Sequence, residues 1–151
     1  MRLVMKSIKN KKKALEQFEA WLGEMEPALQ KFLGTLPQEL ARQLDFSPTS
    51  LAVVEKMILE RYPTYESTEP PEEAPAMDAF ARYVGETFRK NVGGRWELRI
   101  DDPKYVFYGI PQLSGFSEKS TPICPLTMVS ASTDRRTGKY LATILENCRR
   151  G

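Results

Sequence analysis

Residues 78–100 read DAFARYVGETFRKNVGGRWELRI, and the change of period inside this stretch decides the fold. Its first part sets Phe80, Val84, Phe88 and Val92 on one stripe, which predicts a helix over residues 78 to about 92. Gly93 and Gly94 follow at once and accept the positive φ of a helix end. Beyond them Trp96, Leu98 and Ile100 alternate with Arg95, Glu97 and Arg99, the period of a half-buried antiparallel strand. Residues 101–104 predict a turn built on Pro103, and residues 105–110 the returning strand. Gly85 lies beside the helical stripe, so its missing side chain lets the helix backbone approach the strand with Trp96 covering the contact. Tyr83 then needs a partner for its hydroxyl.

Upstream, Leu15, Phe18, Leu22, Met25, Leu29, Phe32 and Leu36 step by three or four, with Trp21 and Leu33 widening the face. Pro27 interrupts the hydrogen bonding without losing the phase and crowds the carbonyl of Gly23. A kinked helix or two nearly coaxial ones are expected. Ser47 as N-cap and Pro48 at the first helical position predict a second helix, with Leu51, Val54 and Ile58 inward and an end near Arg61 ahead of Pro63. Residues 64–76, TYESTEPPEEAPA, are acidic and proline-rich and predict an extended surface linker inside the domain. Downstream, residues 111–121 predict a loop that docks through Leu113 and Phe116. Leu126, Val129, Thr133, Thr137, Tyr140, Ile144 and Cys148 then hold one helical face through Gly138, as one long helix or two coaxial ones.

These elements predict a single α+β domain over residues 1–151, predominantly helical, with helices packed on a small antiparallel hairpin. Two strands alone are marginal, so a third strand, with residues 3–5 the candidate, or dimerisation is expected to complete the sheet. At 151 residues the chain can bury roughly two-thirds of its unfolded surface in one core. Apolar residues at 41%, charged residues at 28% and a mean hydropathy of −0.44 describe a globular protein.

The chain contains no histidine, which removes Ser-His-Asp, Cys-His and His-metal chemistry. Cys124 and Cys148 are too few and too far apart for a zinc knuckle or a disulfide framework. No cofactor and no metal ligand set is predicted. A net charge of +2 draws the molecule to neither nucleic acid nor anionic lipid. Arg2, Lys6, Lys9, Lys11, Lys12 and Lys13 make residues 1–13 basic, but without interleaved aromatics they read as a solvated helix entrance. The absence of a signal-peptide core and of any 18-residue apolar stretch predicts a cytoplasmic protein with both thiols reduced and no membrane contact.

Ala81-Arg82-Tyr83-Val84-Gly85-Glu86, followed by Gly93-Gly94-Arg95-Trp96, resembles a phrase of small bacterial protein families of unknown function, in which a Tyr-x-Gly-Glu helix precedes a Gly-Gly-x-Trp strand. The resemblance covers about a third of the chain. It implies a helix-to-strand packing unit and an accessory or immunity-like role, with no reaction attached.

Candidate chemistry is sparse. Arg135, Arg136 and Lys139 put three cations within five residues and could bind a phosphate or carboxylate. The phosphate-loop spacing is absent, because no glycine precedes Gly138 by five. Glu86, Glu97, Asp101 and Asp102 surround the helix-strand-turn unit, and Glu86, at the helix-sheet contact, calls for a cation such as Arg95 or Arg99. Cys124 opens the last helical region, where a helix dipole can lower a thiol's pKa; core packing is the competing reading for both cysteines. No catalytic set is assigned. Tyr105, Phe107 and Tyr108, with Leu113 and Phe116, put aromatic and apolar side chains on both faces of the second strand, more than a one-sided sheet needs. The expectation is a non-enzymatic module that binds another protein, or a second copy of itself, through these five residues. The alternative is a protein or enzyme that takes a small anionic ligand at Arg135, Arg136 and Lys139, with Glu86 as an acid.

Overall fold

In the computed structural model, which describes residues 10–117 and 121–150, the first amphipathic stretch forms two helices that meet at Glu24: α1 (Lys11–Gly23) and α2 (Met25–Gly34). Pro27 thereby falls in the first turn of α2, where its missing N–H is owed to no intrahelical acceptor. The candidate third strand at residues 3–5 and most of the basic segment lie outside the described residues. A short helix that the periodicity did not announce, α3 (Gln38–Gln43), follows Pro37. Ser47 and Pro48 form a turn, their carbonyls accepting the N–H groups of Ser50 and Leu51, and α4 (Ser50–Arg61) begins beyond them. The predicted start is corrected by two residues; Leu51, Val54 and Ile58 are fully buried and the end at Arg61 is as expected.

The acidic stretch is also corrected. It folds into two 3-10 turns, Glu66–Thr68 and Pro71–Glu73, and α5 (Ala74–Val92) starts before Asp78. Thr64 and Ser67 exchange hydrogen bonds that tie the first of these turns together, and Thr68 is buried. In α5 every residue from Phe80 to Phe88 is buried. The helix is the axis of the protein, in contact with α2, α4, the last two helices and the turn before it. It stops at Gly93, whose φ is +84°.

The expected small antiparallel hairpin is present, but its first strand is shorter than residues 95–100 and its second is formed by other residues than 105–110. Its strands are β1 (Arg95–Glu97) and β2 (Gln112–Ser114), antiparallel, with Trp96 opposite Leu113. Residues 105–110 form no strand. The N–H groups of Tyr105, Tyr108 and Ile110 bond back to the carbonyls of Asp102, Tyr105 and Phe107, and the Gly109 N–H closes the excursion on the Arg99 carbonyl. Three successive turns with Gly109 at φ +73° leave no extended backbone to pair. The returning strand comes instead from the predicted loop, and a bridge between Leu113 and Ile123 gives that strand a neighbour on its other side.

The C-terminal stripe is cut in two, α6 (Pro125–Arg135) and α7 (Tyr140–Arg150), because Arg136 takes the left-handed conformation at φ 53° and Gly138 follows at φ 74°. Both helices pack on α4 and α5. Two long-range caps clasp them. Glu55, wholly buried on α4, accepts the N–H groups of Tyr140 (3.2 Å) and Leu141 (2.8 Å) at the start of α7. In return the Arg136 guanidinium donates to the carbonyls of Leu59 (3.0 Å) and Tyr62 (2.8 Å) at the end of α4. Each charge faces the helix end whose dipole it complements. Tyr83 finds its partners too: its hydroxyl donates to Ser50 Oγ (2.7 Å) and accepts from the Phe46 N–H (3.0 Å), holding Phe46 at φ 63° beneath the stacked tyrosine ring.

The contact between Gly85 and Trp96 is the one expected from the sequence. A Cβ at Gly85 would lie 2.2 Å from two atoms of the indole. Gly85→Ala therefore has to displace Trp96 and is expected to cost about 1–3 kcal/mol in urea unfolding, whereas Gly23→Ala, which meets nothing within 4 Å, leaves the midpoint unchanged or raises it.

Candidate functional site

Asp78, Arg82 and Glu86 line up at four-residue spacing along one edge of α5 and are tied to α1 and β1. Asp78 accepts from Trp21 Nε1 and from Arg82 Nε, both at 2.7 Å. Arg82 is 5% exposed, donates also to the Trp21 carbonyl at 2.8 Å, and lies 4.3 Å from the Trp21 ring centre. The Trp21 ring meets Trp96 edge-on at 4.9 Å. One turn further, Glu86 accepts two bonds from Arg89 (2.8 and 3.0 Å) and one from Trp96 Nε1 (2.8 Å). A cleft of about 450 Å³ opens beside it between Gly23, Glu26, Arg89, Arg95 and Trp96.

The cation beside Glu86 is thus Arg89, not the expected Arg95 or Arg99, since a residue three places along the same helix is already in reach. Arg99 is taken by Asp101 and by the face of Tyr105. Burial on its own would raise the Glu86 pKa, but the bonds from Arg89 and Trp96 outweigh it and hold the carboxyl below the ordinary range. An ionised carboxylate with both oxygens occupied accepts hydrogen bonds and gives no proton. Glu86 braces β1 against α5. Glu97 accepts from Gln112 and Ser114, and Asp102 bonds the Lys104 N–H in its own turn.

The five aromatic and apolar residues expected to bind a partner are divided by the structure. Leu113 is fully buried and Tyr108 is 5% exposed, so both belong to the interior. Phe116 is half-buried against Gly94, where a Cβ would sit 2.9 Å from its ring. Tyr105 and Phe107 are half-buried as well, edge to face at 5.9 Å. Between them Val106 is 75% exposed, a residue the strand reading passed over. The Tyr105 hydroxyl donates to Gln112 Oε1 at 2.6 Å, and Gln112 Nε2 to Glu97 at 2.7 Å, so a chain of hydrogen bonds anchors the turn to both strands.

The three cations of the C-terminal segment do not converge. Arg136 is committed to backbone carbonyls, Arg135 lies over the Tyr140 ring at 5.5 Å, and Lys139 is exposed. Arg136 is thus withdrawn from the expected anion site, because the end of α4 supplies carbonyls that need its donors. Cys124 precedes α6 but is 1% exposed, its Sγ 3.6 Å from the Pro111 carbonyl, and burial pushes its pKa up; Cys148 is shifted the same way. Among the described residues no group of three or more acidic or cysteine side chains could hold a metal ion, and no helix is long and apolar enough to cross a membrane. Compared with known proteins, the chain matches no family model, no curated protein and no solved structure.

Two outcomes follow from these environments. Because the folded pKa of Glu86 is lowered, its contribution is present above the unfolded value and lost as pH falls. Glu86→Gln is expected to cost about 1–3 kcal/mol at pH 7, with the gap to wild type narrowing below about pH 4 in pH-resolved thermal unfolding. Iodoacetamide on the native protein is expected to alkylate Cys148 before Cys124, read by peptide mass mapping.

Proposed function

We propose that this chain is a non-enzymatic protein-binding module whose contact surface is centred on the turn at residues 102–110. The observation that carries the reading is Val106, the most exposed large apolar side chain among the described residues, raised between Tyr105 and Phe107. An isolated exposed valine is ordinary, but one presented by an anchored turn is pre-organised. Tyr105 is fixed by Gln112 from one side and by Arg99, 5.0 Å from its ring, from the other. Little conformational freedom is left for a partner to remove, which favours affinity. The aromatic pair supplies the residue types that interface cores prefer. An accessory, immunity-like role of the kind the family resemblance implies is a role of this class.

The surface proposed from the sequence is thereby narrowed to Tyr105, Val106 and Phe107, with Phe116 at its margin. Val106→Asp removes the apolar tip without touching the interior, so the melting temperature is expected to stay within about 2 °C of wild type. Affinity capture from the native cell lysate, read by quantitative mass spectrometry, is expected to lose its stoichiometric protein partner in this variant and to keep it in Leu15→Asp, which alters another exposed apolar residue. Equal recovery of the same partner by wild type and Val106→Asp would overturn the assignment.

A further inference from the structure

A second feature lies away from the turn. Helices α2, α4 and α5 leave between them a groove of about 470 Å³ with an apolar floor of Phe32, Leu36, Met57 and Phe80. That volume lies in the range of small-molecule sites. Phe32 and Phe80 meet edge to face at 5.7 Å, so the floor is fixed by its own packing.

The charges around the groove are unequal. Lys31 stands on the α2 wall and Arg61 on the α4 wall. Arg61 is paired with Glu73 at 2.9 Å, and the acid in the lining, Asp78, is neutralised by Arg82 at 2.7 Å. The Lys31 ammonium has no hydrogen bond or ion pair to any described residue, which leaves one uncompensated positive charge at the edge of an apolar trough. A ligand complementary to both is an apolar chain or ring carrying one negative group.

We propose that this groove binds a small amphiphilic carboxylate, its hydrocarbon part on Phe32, Leu36, Met57 and Phe80 and its carboxylate at Lys31 beside Arg61. A small molecule suits the site better than a peptide, because about 470 Å³ falls within the roughly 300–1,000 Å³ of pockets that enclose such ligands. The site is separate from the Val106 turn, and its occupancy does not depend on the function proposed for that turn.

The test uses the full chain and calorimetric titration with decanoate, octanoate and decanol. Saturable one-to-one binding of decanoate is expected, tighter than octanoate by roughly tenfold for two further buried methylenes. Decanol is expected to bind about tenfold more weakly than decanoate. Lys31→Glu, an exposed substitution that leaves the fold alone, is expected to weaken decanoate about tenfold while leaving decanol unchanged. Ala79→Trp fills the groove and is expected to abolish both, provided its circular dichroism matches wild type. Absence of saturable decanoate binding, equal affinity for decanoate and decanol, or indifference of decanoate to Lys31→Glu would each overturn the proposal, whether or not Ala79→Trp folds.

Discussion

A helix whose central turns are buried in its own protein has to bring partners for its polar residues inside with it, and α5 is such a helix over residues 80–88. Arg82 and Glu86 are buried at 5% and 6% exposure, one turn apart on the same edge. Each is satisfied by a residue of its own helix, Asp78 and Arg89, and each reaches one tryptophan outside it, Trp21 and Trp96. Because those tryptophans touch each other at 4.9 Å, the edge of α5 fixes where α1 ends and where β1 begins. The opposite requirement holds at Gly85, where the helix must offer no side chain at all so that the indole can lie on its backbone. Close approach and polar satisfaction are solved by the same residue, Trp96.

Local signals in the sequence announced this unit well. A glycine beside an apolar stripe, a Gly-Gly stop and a strand opening on tryptophan predicted a contact that the structure contains. The burial of Leu51, Val54 and Ile58 followed from spacing in the same way. Periodicity failed where the chain turns on itself. Alternating aromatics at residues 105–110 imitate a strand, while the backbone follows the constraints of Pro103 and Gly109 into consecutive turns. Helix breaks were visible as alternatives at Pro27 and Gly138, but the choice between one helix and two depends on packing that no local window contains.

The roles that the sequence did not reveal are those of residues whose partners are far away in the chain. Glu55 occupies an inward position, one step from Val54 and three before Ile58, and a carboxylate there signals a distant donor without naming it. Arg136 read as part of a basic cluster, and only the fold brings the carbonyls of Leu59 and Tyr62 to it. The same dispersal governs function. Side chains that looked like one anion site or one interface are split by their structural duties, and what remains at the surface is smaller: an anchored turn tipped by Val106 and an apolar trough edged by Lys31.

The paired caps between α4 and α7 carry a consequence for how the molecule opens. A helix whose first amides face water can open on its own, since those amides lose little by opening. Here the first amides of α7 are held by Glu55, and the last carbonyls of α4 by Arg136 from the turn that leads into α7. Releasing α7 would strand a buried carboxylate without a donor and strip the end of α4 of its cation. The clasp couples α7 to α4, so that opening either one disturbs the other, and elements without such a clasp are freer to open alone.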